Sequence, residues 1–161
     1  MDVKTWISVA NLQNEFSGDV VVVGSGPSAQ SGVSKIEAFD GLIMACASHN
    51  FPPLRHVDIY FASDSFTTKR GYPTKNTTYL ISRGVIKDRS RCFEGCKANW
   101  YRWQREIPMG MFSGPAAIRM AMYLGFETVY YIGLDGGGHY KQSLQELNLL
   151  IDQHKSRIIP L

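Results

Sequence analysis

The stretch Asp19-Val20-Val21-Val22-Val23-Gly24-Ser25-Gly26-Pro27-Ser28 sets the reading of the whole chain. Four consecutive valines with no polar alternation mark a strand buried on both faces, and a strand covered on both faces belongs to a parallel sheet. Gly24 ends the run, and residues 29–39 then carry apolar side chains at helical spacing. Strand, glycine turn and helix in that order open a βαβ crossover.

Outward from this stretch the alternation repeats. Residues 42–46, 57–61 and 128–132 are strand-sized apolar runs, 77–81 is a more polar candidate nearer an edge, and Ile158-Ile159 is a short last strand. Residues 116–124 have helical spacing and stop at Gly125, the residue type favoured just past a helix end. Residues 143–154 form an amphipathic helix with Leu144, Leu147, Leu149, Leu150 and Ile151 apolar. The expected fold is α/β, a Rossmann-like three-layer sandwich with a mostly parallel sheet, in a single domain over residues 1–161.

Composition agrees with one such unit. The 161 residues are 44% hydrophobic and 12% aromatic, enough to rule out global disorder. Seventeen basic against 14 acidic side chains leave a net charge of +3, too weak by itself to imply nucleic acid. The apolar runs are far shorter than the roughly 20 residues a membrane helix needs, and no basic n-region precedes an apolar h-region, so a cytoplasmic location is expected. Three cysteines do not make a disulfide framework, and Cys46 reads as a buried thiol. Cys92 and Cys96 lack a second ligand pair at zinc spacing, so no metal site is assigned.

One segment departs from the scheme. Residues 87–105 interleave Lys87, Arg89, Arg91, Lys97, Arg102 and Arg105 with Phe93, Trp100, Tyr101 and Trp103. It reads as a basic and aromatic insertion or lid at about 87–107, able to grip nucleic acid or a phosphate-rich ligand by charge and stacking. A solvated helix whose aromatics dock on the sheet is the alternative.

The candidate site gathers at the carboxyl ends of the strands, where doubly wound sheets bind ligands. Gly24, Ser25, Gly26, Pro27 and Ser28 resemble a phosphate cradle, with small residues letting backbone amides approach an anion at a helix start. They lack the last glycine of the dinucleotide fingerprint and the Lys-Ser/Thr pair of a Walker loop. A plain turn with Ser28 as N-cap is the competing reading. Ser113 and Gly114 head a second helix, and the two helix starts are expected to bracket one diphosphate or nucleotide, or else to be simple caps. Asp135 and His139 follow the fifth strand in a glycine run, His139 as general acid or base and Asp135 as a holder of ribose, metal or proton. Asn50 and Asp64 end the second and third strands on the same rim, with His49 as an alternative base.

Taken together, the Val-Val-Val-Gly-Ser-Gly-Pro-Ser stretch, Asn50, Ser113-Gly114-Pro115-Ala116-Ala117-Ile118 and the run from Leu124 to Asp135 resemble two related groups. These are the small bacterial CMP-sialic-acid-dependent sialyltransferases and the family that includes the archaeal 6-hydroxymethylpterin diphosphokinases. The resemblance covers about residues 19–140. It implies nucleotide contacts at Gly24, Gly26, Pro27, Ser28, Asn50, Ser113 and Gly114, and matches Gly133 and Asp135 to a Gly-x-Asp motif. The sialyltransferases also carry a C-terminal portion with a catalytic histidine and phosphate-gripping tyrosines. That histidine does not map onto this chain; His139 as its substitute and Tyr140 as a phosphate ligand are readings of this chain alone.

The expectation is therefore a nucleotide-binding transferase, glycosyltransferase-like, passing a nucleotide-activated donor to an acceptor hydroxyl without a required cofactor. A non-catalytic nucleotide or nucleic-acid binding module is the alternative. Diphosphoryl transfer from ATP is a further one, and would need Mg²⁺ on carboxylates such as Asp64 and Asp135. The acceptor and any homo-oligomer stay open.

Overall fold

A computed structural model describes residues 6–46, 52–62, 77–82, 99–103, 113–135 and 140–161. Among these the strands are β1 (Ile7–Ser8), β2 (Asp19–Val23), β3 (Leu42–Cys46), β4 (Ile59–Ala62), β5 (Tyr79–Ser82), β6 (Asn99–Arg102), β7 (Thr128–Ile132) and β8 (Ile158–Pro160). The helices are α1 (Pro27–Ser31), α2 (Val33–Glu37), α3 (Ser113–Leu124) and α4 (Tyr140–Gln153), with a 3-10 turn at Val9–Leu12. All eight strands form one parallel sheet in the order β1-β6-β5-β4-β3-β2-β7-β8.

The valine run lies at the heart of it. β2 pairs with β3 on one side and with β7 on the other, and Val20 to Val23 are fully buried. Val20 and Val22 pack in one core cluster with Ala117, Ala121 and Leu124 of α3 and Leu147 and Leu150 of α4. Val21 and Val23 pack on the opposite face with Ala29 of α1 and Ile36 of α2. Helices thus cover both faces, which is why positions 20–23 are all valine. The layered α/β sandwich read from the sequence is the observed fold.

Handedness explains the arrangement of layers. From β2 the chain steps through β3, β4, β5 and β6 in one direction, then crosses to β7 and β8 on the other side of β2. Right-handed crossovers running in opposite directions place their helices on opposite faces. α1 and α2 therefore lie on one face and α3 and α4 on the other, and the order reverses between β2 and β7.

Several boundaries differ from the sequence expectation for identifiable reasons. The single helix expected over 29–39 is two short helices broken at Gly32, where a Cβ would stand 2.8 Å from Ile132 Cδ1. The glycine lets α1 and α2 settle onto β7. β4 starts at Ile59 rather than Val57 because Asp58 serves both neighbouring strands. Its carboxylate accepts the Ile43 N–H at 2.8 Å, and its carbonyl accepts the Thr78 and Tyr79 N–H groups at 3.1 and 3.0 Å. Gly125 does close α3, at φ +107°, with its N–H on the Met122 carbonyl and the Phe126 N–H on the Ala121 carbonyl. That pair of bonds is a Schellman ending.

The expected lid is corrected where it can be described. Residues 99–103 are part of the sheet: β6 pairs with β5 and with β1, Trp100 packs on Trp6, and Trp103 stacks on Phe61 at 5.8 Å between ring centroids. Trp100 is 6% and Trp103 1% exposed, so neither ring is available to stack on a nucleic-acid base. Residues 87–98 and 104–107 lie outside the described residues. No helix among the described residues is long and apolar enough to cross a membrane.

Cys46 ends β3 in the core, and burial pushes its thiol up from 9.0 to about 12. It stays a thiol in the folded protein, so a Cys92→Ser/Cys96→Ser variant is expected to resist iodoacetamide at pH 8 and to react only on unfolding in urea. Mass spectrometry of the alkylated protein checks this. The sign for stability follows. Above about pH 9 the unfolded chain releases this proton while the folded one retains it, so stability falls as pH rises from 9.0 toward 12.

Candidate functional site

In open parallel sheets ligands bind outside the carboxyl ends of the strands, at the point where strand order reverses. Here that point lies between β2 and β7. The turn 24–28 leaves β2 and the turn 133–135 leaves β7, so two of the motifs read from the sequence are brought side by side.

They are bonded to each other. The Gly24 N–H donates to the Ile132 carbonyl at 2.9 Å, and the Gly26 N–H donates to the Gly133 carbonyl at 2.8 Å. The Gly133 N–H donates to Ser28 Oγ at 2.8 Å, and the Ser28 hydroxyl in turn donates to Asp135 Oδ1 at 2.6 Å. The Ser28 N–H reaches both carboxylate oxygens of Asp135, at 3.1 and 3.3 Å. Asp135 is thus the acceptor for the first turn of α1, supplied from across the sheet.

This arrangement engages the amides assigned to the cradle. Gly26, not Ser28, is the N-cap of α1, with Pro27 in the first turn. The amides of Gly24, Gly26 and Ser28 are already paired, the last of them to a carboxylate that occupies the place an anion was expected to take. The glycines allow the two turns to approach closely. A Cβ on Gly24 would stand 2.3 Å from the Gly133 carbonyl oxygen, and one on Gly26 2.4 Å from Asp135 Oδ1.

Leu134 lies between the two helix starts. A Cβ on Gly24 would lie 2.8 Å from Leu134 Cδ2, and one on Gly114 2.9 Å from the same atom. One Leu134 methyl group thus reaches both the β2 turn and the start of α3. Ser113 and Gly114 do begin α3, with Pro115 in its first turn. Ser25 is half-buried in the β2 turn, and Pro27 is exposed. Asn50, Asp64, His49 and His139 lie outside the described residues.

What remains exposed is the Asp135 carboxylate, held by Ser28 and facing solvent. A carboxylate has about four acceptor positions, so Asp135 retains capacity for a ligand hydroxyl. Among the described residues no group of three His, Cys, Asp or Glu could hold a metal ion.

Ser28 and Asp135 also line a cleft of about 540 Å³ between α1, α2, α4 and the ends of β7 and β8. Its floor is apolar, with Ile132 and Leu147 buried and Leu144 beside them. Ser31, Ser34, Lys35 and Asn148 stand on its exposed rim. Burial pushes the Tyr131 hydroxyl above its ordinary value, which keeps that lining residue a phenol and a donor. The sequence reading missed this cleft. Its visible trace was serine at positions 28, 31 and 34, a three-residue recurrence along adjoining helical turns.

Neither protein-family models nor curated proteins match the chain.

The Ser28–Asp135 bond makes a testable difference between two substitutions. Asp135→Asn keeps an oxygen for the Ser28 donors, whereas Asp135→Ala leaves them facing nothing but water. Asp135→Ala is expected to lower stability by about 1–2 kcal/mol and Asp135→Asn by less than half of that, read by urea unfolding.

Proposed function

We propose that the chain is a nucleotide-binding transferase, glycosyltransferase-like, in which Asp135 takes the proton from an acceptor hydroxyl as a donor group is transferred. The observation that carries the reading is the reversal of strand order between β2 and β7, which joins the two strongest motifs through Ser28 and Asp135. The resemblance of residues 19–140 to nucleotide-using transferases agrees with it. Since the amides of the first turn are engaged, the donor is held by side chains, with Ser25, Asn50 and Ser113 as the assigned contacts and His139 as a second proton-carrying group. Ser28 is a positioning residue: it fixes the carboxylate through two donors.

The diphosphokinase alternative asks for Mg²⁺ between Asp64 and Asp135. Of these two carboxylates Asp135 lies among the described residues, and no step is routed through a metal here. The nucleic-acid version of the binding module loses its stacking rings to the core at Trp100 and Trp103.

Calorimetric titration with CMP, UDP and ATP, each with and without magnesium, tests the reading. Binding of a pyrimidine nucleotide without magnesium is expected. Turnover of a nucleotide-activated donor should fall about 100-fold or more in Asp135→Asn, the range for losing a general base, while nucleotide affinity holds. Absence of binding by all three nucleotides would overturn the proposal, and binding without turnover would leave only the non-catalytic module.

A further inference from the structure

We infer that the cleft beside Asp135 is the acceptor half of the proposed site, shaped for an uncharged alcohol with an apolar body rather than for a sugar or an ion. The inference rests on the transferase reading and names the class of its acceptor. Cleft and site are one, because Ser28 and Asp135 belong to the wall of both.

Three observations carry it. The first is position. A carboxylate that takes a proton works within hydrogen-bond reach of the acceptor hydroxyl. The cleft meets Asp135 at the carboxyl ends of β7 and β8, with α1 and α2 on one side and α4 on the other, and its volume of about 540 Å³ suits a small molecule. The Ser28 hydroxyl donates to Oδ1 of Asp135, while Oδ2 receives the Ser28 amide at 3.1 Å and keeps acceptor capacity for an alcohol.

The second is the floor, which is hydrocarbon. Ile132 and Leu147 are buried there, and Leu134 and Leu144 are half-buried. A sugar laid on these side chains would strip water from its hydroxyls without giving them partners, whereas an alkyl or aryl body gains by covering them. The third is charge. The lining side chains carry one charge of each sign, Lys35 and Asp135, and so favour neither an anion nor a cation. An ionised body would lose its water against hydrocarbon without compensation.

In the transfer, the acceptor oxygen bonds to the donated group as the bond from that group to the nucleotide breaks. The nucleotide leaves with the electron pair, and the hydroxyl proton passes to Asp135.

The test follows ¹H–¹⁵N correlation spectra of the full chain with 3-phenyl-1-propanol, 3-phenylpropionate and glucose, each with and without saturating CMP. The alcohol is expected to shift the Gly133, Leu134 and Asn148 amide resonances below about 10 mM, more tightly than the acid, while glucose shifts none of them. Its affinity should hold in the presence of CMP, since donor and acceptor occupy the site together. Leu144→Gln should weaken the alcohol about fivefold and leave CMP binding unchanged. Nuclear Overhauser contacts from the phenyl ring to the Leu144 and Leu147 methyl groups place it in the cleft even if that variant fails to fold. CMP binding without alcohol shifts at the cleft overturns this inference and leaves the transferase reading standing. Tighter binding of the acid or of glucose, displacement of the alcohol by CMP, or a ring without contacts to those methyl groups overturns it equally. Alcohol binding with no binding of CMP, UDP or ATP overturns the transferase reading, and the acceptor role falls with it.

Discussion

Gly133→Ala is expected to lower stability by about 3 kcal/mol or more, enough to drop Tm by roughly 10 °C in a chain of this size. Two costs coincide at this position. Gly133 holds φ +76°, a left-handed backbone that an L side chain adopts only under strain. Its new Cβ would also stand 2.5 Å from Ala29 Cβ and 2.6 Å from the Gly24 carbonyl oxygen, and neither can swing aside. Ala29 is fixed in α1 and Gly24 is bonded to Ile132, so relief requires the β2 and β7 turns to part. Gly18 provides the control. It holds nearly the same φ, +73°, with nothing within 4 Å of a Cβ. Gly18→Ala should cost only the backbone strain, about 1–2 kcal/mol. Chemical denaturation of the two variants side by side separates strain from collision; equal losses would show that the turns do not touch as described.

Trp103→Ala is the second large effect, about 3–5 kcal/mol, the usual range for emptying a buried tryptophan site. Trp103 is 1% exposed, its N–H extends the ladder onto the Ser82 carbonyl at 3.1 Å, and its ring lies parallel to Phe61. A lid residue would behave otherwise, since removing it would change ligand affinity and leave the unfolding midpoint nearly where it was. Thermal unfolding of Trp103→Ala therefore decides whether the edge of the sheet or a mobile cover owns this segment.

The central strands were legible because burial on both faces permits only apolar residues. That demand wrote Val20 to Val23 and the runs at 42–46 and 128–132 in unbroken form. β6 was not legible for the converse reason. Near the edge, only Trp100 and Tyr101 of Asn99–Arg102 are buried, and the arginines and lysine around them imitate a solvated binding segment. β1 is two residues long, too short for any period to register. At the site, the sequence placed Ser28 and Asp135 correctly at strand ends but could not show that they are each other's partner. Hydrogen-bond satisfaction is a property of pairs, and these two are separated by 107 positions. For the same reason the sequence could not show that the amides of Gly24, Gly26 and Ser28 have partners within the fold.

That separation has a consequence for how the molecule comes into being. As the polypeptide emerges from a ribosome, β2 finds β3 within a few dozen residues, yet its other flank stays bare until β7 has been made. The first turn of α1 is likewise left without its carboxylate for most of synthesis. Contacts that close such long loops are slow to form, so the joining of β2 to β7 is expected late in folding. A chain cut after α3 would hold a greasy, unpaired central strand, the feature most apt to recruit a neighbour's backbone and precipitate.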